Sequence, residues 1–305
     1  MLEIAIMIEG QNGLNWVRWQ KIARLVEELG FVGLFRSDHF TNSSGPPDLD
    51  SLELWTSLTW LADNTKRIEF GPLVTPFSFR HPVFTARMAS AVDDLSGGRL
   101  TLGMGAGWQE REHHLFGFDL LEPEPRYDRF EEGLEVVTSL LQSDEPVTFD
   151  GKYYQVRGGT LLPRPQRKGG PRILIGGDGH QRMRSLVARY AVEWNCVMLT
   201  PEFFAERNQL LTEDLKAAGR DPASVRRSMM TGCVFGKDED ALKKKLSARK
   251  RTLEQLHEQG IVAGDVPIVK DQLLELEEAG VQRVMLQWLD LDDLDGLEAL
   301  AKAVL

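Results

Sequence analysis

Cysteine is scarce, with two in 305 residues. Cys196 and Cys233 have no metal-ligand spacing, and each lies in an apolar stretch, "WNCVML" and "SMMTGCVFG". They read as buried free thiols, which sets aside a disulfide framework and a zinc site. No run of about 18 apolar residues is present to span a bilayer. The first ten residues, "MLEIAIMIEG", carry acid where a secretion signal carries base, so a cytoplasmic protein with no membrane partner is expected. Positive charge is in deficit: 36 Lys and Arg face 46 Asp and Glu, a net charge of −10. Nucleic acid and anionic membrane are therefore excluded as general partners, because both require a basic surface. His113 and His114 are adjacent on a helical pattern and point apart, so no metal site is expected.

The chain is 42% hydrophobic and 27% charged, enough for one large core, and no linker divides it. Short apolar segments at 3–9, 32–36, 67–75, 99–105, 172–177, 194–199, 228–236 and 282–288 each precede a longer amphipathic stretch. The last but one is followed by a long charged helix around Leu242 to Gln259. Eight strand-plus-helix units imply right-handed crossovers and a parallel sheet buried on both faces. In about 300 residues they fit an α/β fold of the (β/α)8 TIM-barrel type better than an open doubly wound sheet. "PVTFDGKYYQVRGG" (146–159) breaks the rhythm with two β-rich runs around Asp150-Gly151, a hairpin signal. One domain over 1–305 is expected, with an insertion at 146–170 between strands four and five.

In such a barrel the working groups stand at the C-terminal ends of the strands. "LFRSDHF" (34–40) ends the second strand on Asp38 and His39. Either the pair faces a pocket at the barrel mouth, or the aspartate caps a turn beside a surface histidine. "GMGAGWQE" (103–110) follows strand four, and its glycines permit close approach of the backbone to something flat. "ILIGGDGHQR" (173–182) runs a strand through a Gly-Gly-x-Gly turn into a helix, aiming unpaired N–H groups at one point as a phosphate site does. Arg164, Arg167, Lys168, Arg172, Arg182, Arg184 and Arg189 flank it, against the single acid Asp178. These seven bases supply charge to a phosphate or form a solvated face paired with acidic helices.

"FRSDHF", "GPLVTPFSFRHPVFTARMASAVDDLSGGRLTLGMGAGWQEREHHLFG", "EPRYDRFEEGLEVV" and "PRILIGGDGHQRMRSLVARYAVEWN" together resemble the bacterial luciferase-like monooxygenase superfamily. Within it, the chain is similar to the branch of probable oxidoreductases that use the deazaflavin coenzyme F420. The likeness runs from "IAIMIEGQNGL" to "VQRVMLQW". It implies a (β/α)8 barrel with an insertion after strand four, Asp38 and His39 at the reactive centre, and a non-proline cis peptide at Leu73–Val74 behind the cofactor ring, with Thr75 beside it. It also implies a strand-four loop at Gly105, Ala106, Gly107 and Trp108, and a phosphate loop at Gly176, Gly177, Asp178 and Gly179. Sugar-phosphate dehydrogenases of the family carry a glutamate where this chain has Trp108, which speaks against a sugar substrate. Glu110 and Glu112 are nearby and could serve as the proton donor, but read as solvated acids on a helix surface.

The resemblance leads to an oxidoreductase that transfers hydride between the deazaflavin C5 and a small organic substrate, with His39 as acid or base and Asp38 orienting it. F420 is preferred over FMN because its longer anionic tail asks for the seven bases. The alternatives are an FMN-dependent two-component monooxygenase using FMNH2 and O2, and a barrel that binds flavin or deazaflavin without turnover. A homodimer and a separate reductase or F420-reducing enzyme are the expected partners.

Overall fold

The alternation of short strands and amphipathic helices closes into a ring in the computed structural model, which describes residues 1–305. The barrel strands are β1 (Glu3–Ile8), β2 (Gly33–Arg36), β3 in two pieces (Glu69–Pro72 and Thr75–Pro76), β4 (Thr101–Gly105), β5 (Arg172–Gly176), β6 (Glu193–Val197), β7 (Arg226–Phe235) and β8 (Arg283–Gln287). Neighbours pair in parallel all the way round, from β2 through β1, β8, β7, β6 and β5 to β4. The second piece of β3 closes the ring on β4 with Thr75 opposite Met104, and a bridge joins Phe70 to Leu100. The eight units read from the sequence are thus the eight staves of the barrel.

The two-residue side-chain period divides each strand between two cores. Ala5 and Met7 of β1 point inward, where they pack with Phe35, Leu73, Leu174, Met230 and Met285. Ile4, Ile6 and Ile8 point outward into the larger core beneath the helices. A fully buried side chain such as Leu174 contributes about 2–5 kcal/mol, judged by the usual cost of truncation to alanine. The helices are started by local chemistry: Asn15 caps Trp16–Leu29 by accepting from the Arg18 amide, and Gly30 ends it at φ +100°.

The expected hairpin is present, with Val147–Asp150 antiparallel to Gln155–Gly159. The single helix expected over 242–259 is not. Two helices, Glu239–Arg249 and Leu253–Glu258, meet at Lys250, which adopts φ +52°. The second starts afresh because Thr252 and Gln255 cap one another's backbone, a reciprocal arrangement that halts one helix and begins the next. A short strand, Val262–Gly264, then lies along the end of β7. No helix is long and apolar enough to cross a membrane.

Candidate active site

A cavity of about 260 Å³ opens at the C-terminal ends of the strands. Its apolar walls include Met7, Leu73, Val74, Val197 and Met230, and its ionisable lining is Glu9, His39, Glu112 and His113. The peptide Leu73–Val74, which forms one wall, is cis. This is the bond that the family resemblance implied.

Asp38 and His39 do not work on one another. Consecutive residues at a strand end point to opposite sides. Asp38 turns to β3, where it accepts from Thr75 Oγ1 at 2.7 Å and pairs with the Arg80 guanidinium. His39 turns to the helix Glu110–Phe116, where its Nδ1 lies 2.7 Å from Glu112 Oε1. Glu112 Oε2 accepts from the Phe40 amide at 2.8 Å, so the carboxylate grips ring and backbone together. Two expectations are thereby corrected: Asp38 does not orient His39, and Glu112, only 1% exposed, is no solvated surface acid. Because a carboxylate only accepts, the pairing places the proton on Nδ1 and leaves Nε2 to the cavity. Burial disfavours the charged ring, but the Glu112 hydrogen bond and charge outweigh it, with smaller help from Glu9 and Asp38, and the His39 pKa is raised.

The sequence candidates divide. His39, Leu73, Val74, Gly107, Trp108, Gly176 and Gly177 line the cavity; Asp38, Thr75, Gly105, Asp178 and Gly179 do not. Trp108 stands 61% exposed at the mouth, edge-on to His39 with ring centroids 5.7 Å apart. Gly105 is small for the sake of the wall and not of a ligand, since a Cβ there would come within 2.5 Å of Val74 Cγ2. Gly177 has φ +154°, and a Cβ on it would meet Met183 Cγ at 2.9 Å. Its amide is spent on Asn195 O at 2.9 Å. The turn still leaves the amides of Gly179, Gln181 and Arg182 without an acceptor at the start of helix Gln181–Tyr190.

The seven bases form no phosphate cradle. Arg167 pairs with Asp93, Arg184 with Asp214, Arg189 with Glu131, and Arg182 with Glu124 and Asp128. Arg164 donates to the Leu140 and Leu141 carbonyls, and Lys168 is exposed. Arg172 sits at the start of β5, a full strand from the mouth, bound to Glu69 at 2.8 Å. The bland reading, a face paired with acidic helices, is the one realised. Proximity in sequence misled because β5 and its turn carry these residues to opposite ends of the barrel.

Glu9 was missed as a site residue, and Glu112 was named only as a stand-in proton donor. The usable signal for Glu112 was its place two residues into a seven-residue helix directly after the strand-four loop, where a first-turn acid faces the barrel mouth. His113 was assigned no role; it is buried, with Nδ1 on Gln109 O at 2.6 Å and Nε2 on Ser78 Oγ at 2.8 Å, while His114 is exposed. Residues 5–273 match the family described as luciferase-like monooxygenase. The chain belongs to this family. Among its relatives, 4-hydroxyprotoasukamycin monooxygenase of Streptomyces nodosus subsp. asukaensis is 34% identical over 158 residues, 52% of this chain and 41% of that protein. F420-dependent glucose-6-phosphate dehydrogenase of Microbacterium testaceum (strain StLB037) is 31% identical over 222 residues, 71% of this chain and 63% of that protein. The chain thus spans roughly half the length of the curated relatives it matches, from 41% to 63%. The luciferase-like fold is shared with an F420-dependent secondary alcohol dehydrogenase solved in complex with an F420-acetone adduct, at a TM-score of 0.87 and 19% identity over 99% of this chain and 98% of that one.

Proposed function

We propose that this luciferase-like protein is an F420-dependent oxidoreductase that moves a hydride to or from a small carbonyl compound or secondary alcohol. The observation that carries this reading is the His39–Glu112 pair, with His39 Nε2 turned to the cavity that Leu73 and Val74 wall. Interconverting a carbonyl and an alcohol requires a proton at the oxygen for every hydride at the carbon. A histidine oriented by a buried carboxylate is built to exchange that proton.

The residues present fit a flat ring and a phosphate. Leu73 and Val74 would back the ring, and the free amides of Gly179, Gln181 and Arg182 would meet the phosphate at a helix amino end. When bound, the deazaflavin supplies or takes the hydride, and the protein positions the partners. His39 Nε2 would then take the proton of an alcohol, or as imidazolium give one to a carbonyl oxygen. Glu112 holds the ring in place and stabilises its charged form. Asp38, tied to Thr75 and Arg80, holds β2 against β3 at the site's edge. A small-molecule substrate, a homodimer and a separate enzyme to recycle the cofactor belong to this reading.

One observation favours the FMN-dependent monooxygenase instead: six of the seven bases are engaged elsewhere and only Lys168 is left, so the extra charge that F420's tail asks for is largely not supplied by them. Titration of the purified protein with F420 and with FMN, oxidised and reduced, tests the choice. Tighter F420 binding with ketone- or alcohol-dependent turnover is expected. Tighter FMN binding with NADH-driven oxygenation in the presence of a flavin reductase would overturn it, and binding without turnover in a panel of electron acceptors would leave a carrier barrel.

A further inference from the structure

Glu9 follows directly on β1, lines the cavity, and has no part in the proton exchange described above. Its Oε1 accepts from Gln287 Nε2 at 2.6 Å and its Oε2 from Gln11 Nε2 at 2.8 Å. Gln11 is held in turn by the Ser37 hydroxyl, which donates to Gln11 Oε1 at 2.8 Å and accepts from the Gly10 amide at 3.0 Å. The carboxylate is therefore fixed by neutral amides; Arg36, whose charge acts on it, is hydrogen-bonded to Ser57 Oγ and the Leu52 carbonyl and does not line the cavity. Each oxygen keeps a lone-pair site for one more donor.

The rest of the lining sharpens the point. No lysine or arginine borders the cavity. Arg80, close by on the β3 side, is committed to Asp38 and Glu53. Both nitrogens of His113 are occupied, and the Glu112 carboxylate is turned to His39 and Phe40. An anion entering here meets two carboxylates and, at most, one protonated imidazole. A neutral molecule meets apolar walls, one fixed acceptor and His39 Nε2.

We propose that Glu9 is the specificity-determining residue of this site, selecting uncharged hydroxyl- or carbonyl-bearing molecules with an apolar body and excluding carboxylates and phosphates. The assignment rests on the proposed oxidoreductase reading only for the word substrate; the selection itself is a property of the cavity. A neutral substrate turns its reacting oxygen to His39 Nε2 and its apolar part to Met7, Val197 and Met230, and any further hydroxyl it carries can donate to a free lone pair of Glu9. An anionic group of the same size is repelled by the fixed charge through a poorly screened cavity.

The test uses pairs matched in shape: acetophenone against benzoylformate, and 1-phenylethanol against mandelate. Calorimetric titration into the protein, with and without F420, reads the preference apart from turnover. The neutral member of each pair is expected to bind at least about tenfold tighter, the size a charge pair several ångströms apart produces in a protein environment. Glu9→Gln should narrow that ratio by a similar factor. Val197→Lys, at a half-exposed cavity position, should raise carboxylate affinity without touching Glu9 or its amides. Circular dichroism confirms that each variant is folded. Equal binding of the two members, tighter binding of the anion, no binding by either, or an unchanged ratio in both variants overturns the inference. Neutral preference in a protein that binds neither F420 nor FMN would retain it and remove the proposed function.

Discussion

The two ends of the barrel both bury charge, and they balance it differently. At the amino ends of the strands, Arg283 is 1% exposed and lies 2.8 Å from carboxylate oxygens of Glu3 and Glu69 and 3.4 Å from Glu193. Arg226 reaches the same three acids, and Arg172 is a third arginine on Glu69. Three arginines meet three glutamates, and the set is closed. At the carboxyl ends, Asp38 has Arg80, but Glu9 has only amides and Glu112 has a histidine whose charge depends on its proton. A closed set of fixed charges can only hold strands together. An open set that depends on a titrating ring can do chemistry.

That contrast is broken most directly at His39. His39→Ala should lower turnover per cofactor-loaded molecule by about 10²–10⁴, while cofactor affinity stays near wild type and the melting temperature falls only as far as the lost Glu112 pairing requires. Steady-state rates at matched loading measure it. Glu112→Gln should cost less, and the double variant should be little worse than His39→Ala, since the two act as one unit. Asp38→Asn, which acts through Thr75 and Arg80, should add to His39→Ala instead. Full turnover in His39→Ala would make the mouth as purely structural as the base.

How much of this was legible follows from the range of each signal. The eight strands were readable because a buried strand is a local apolar run, and their order needs only chain direction and handedness. Val262–Gly264 is too short to declare itself, although the Thr252 and Gln255 cap before it was a readable sign that the charged helix stops. Asp38 and His39 were found because a polar pair ending an apolar strand is anomalous. Their partners were assigned wrongly: adjacency suggested that they meet, while the strand's period sends them apart. Glu112 lies 73 residues from His39 in the chain, and no local pattern joins them. The glycines of 103–107 looked like ligand contacts, yet Gly105 makes room for Val74, a use visible only once the β3 bulge is in place.

At the base, the comparison predicts loss of stability without loss of chemistry. Arg283→Met removes one partner and leaves Glu193, fully buried, with a reduced share of positive charge, and Glu3 and Glu69 with weaker pairing. Breaking a buried pair in this way costs about 3–5 kcal/mol, read as a lower urea midpoint at constant m-value. Activity per folded molecule should remain near wild type. A fall in turnover larger than the loss of folded protein would mean that the two ends are coupled through the strands.

The smallest effect is the most discriminating, because the two ends should respond to pH with opposite sign. His39 has its pKa raised in the folded protein above the ordinary value of 6.5. The stability it contributes is complete below 6.5 and is lost as pH climbs through the raised value. Glu69 is the reverse case: burial alone would raise its pKa, but Arg283, Arg172 and Arg226 together hold it below the ordinary 4.5. Its contribution is complete above 4.5 and is lost as pH falls through the lowered value. Urea midpoints taken across the acid and neutral-to-alkaline ranges should therefore slope down on both sides. His39→Gln should flatten the neutral-to-alkaline limb, because Glu112, Glu9 and Asp38, the charges that raise the ring, all lie at the mouth. Glu69→Gln should flatten the acid limb only. If Glu69→Gln moved the neutral-to-alkaline limb, the charge at the base would be acting on the ring at the mouth, and the two charge sets would be one network.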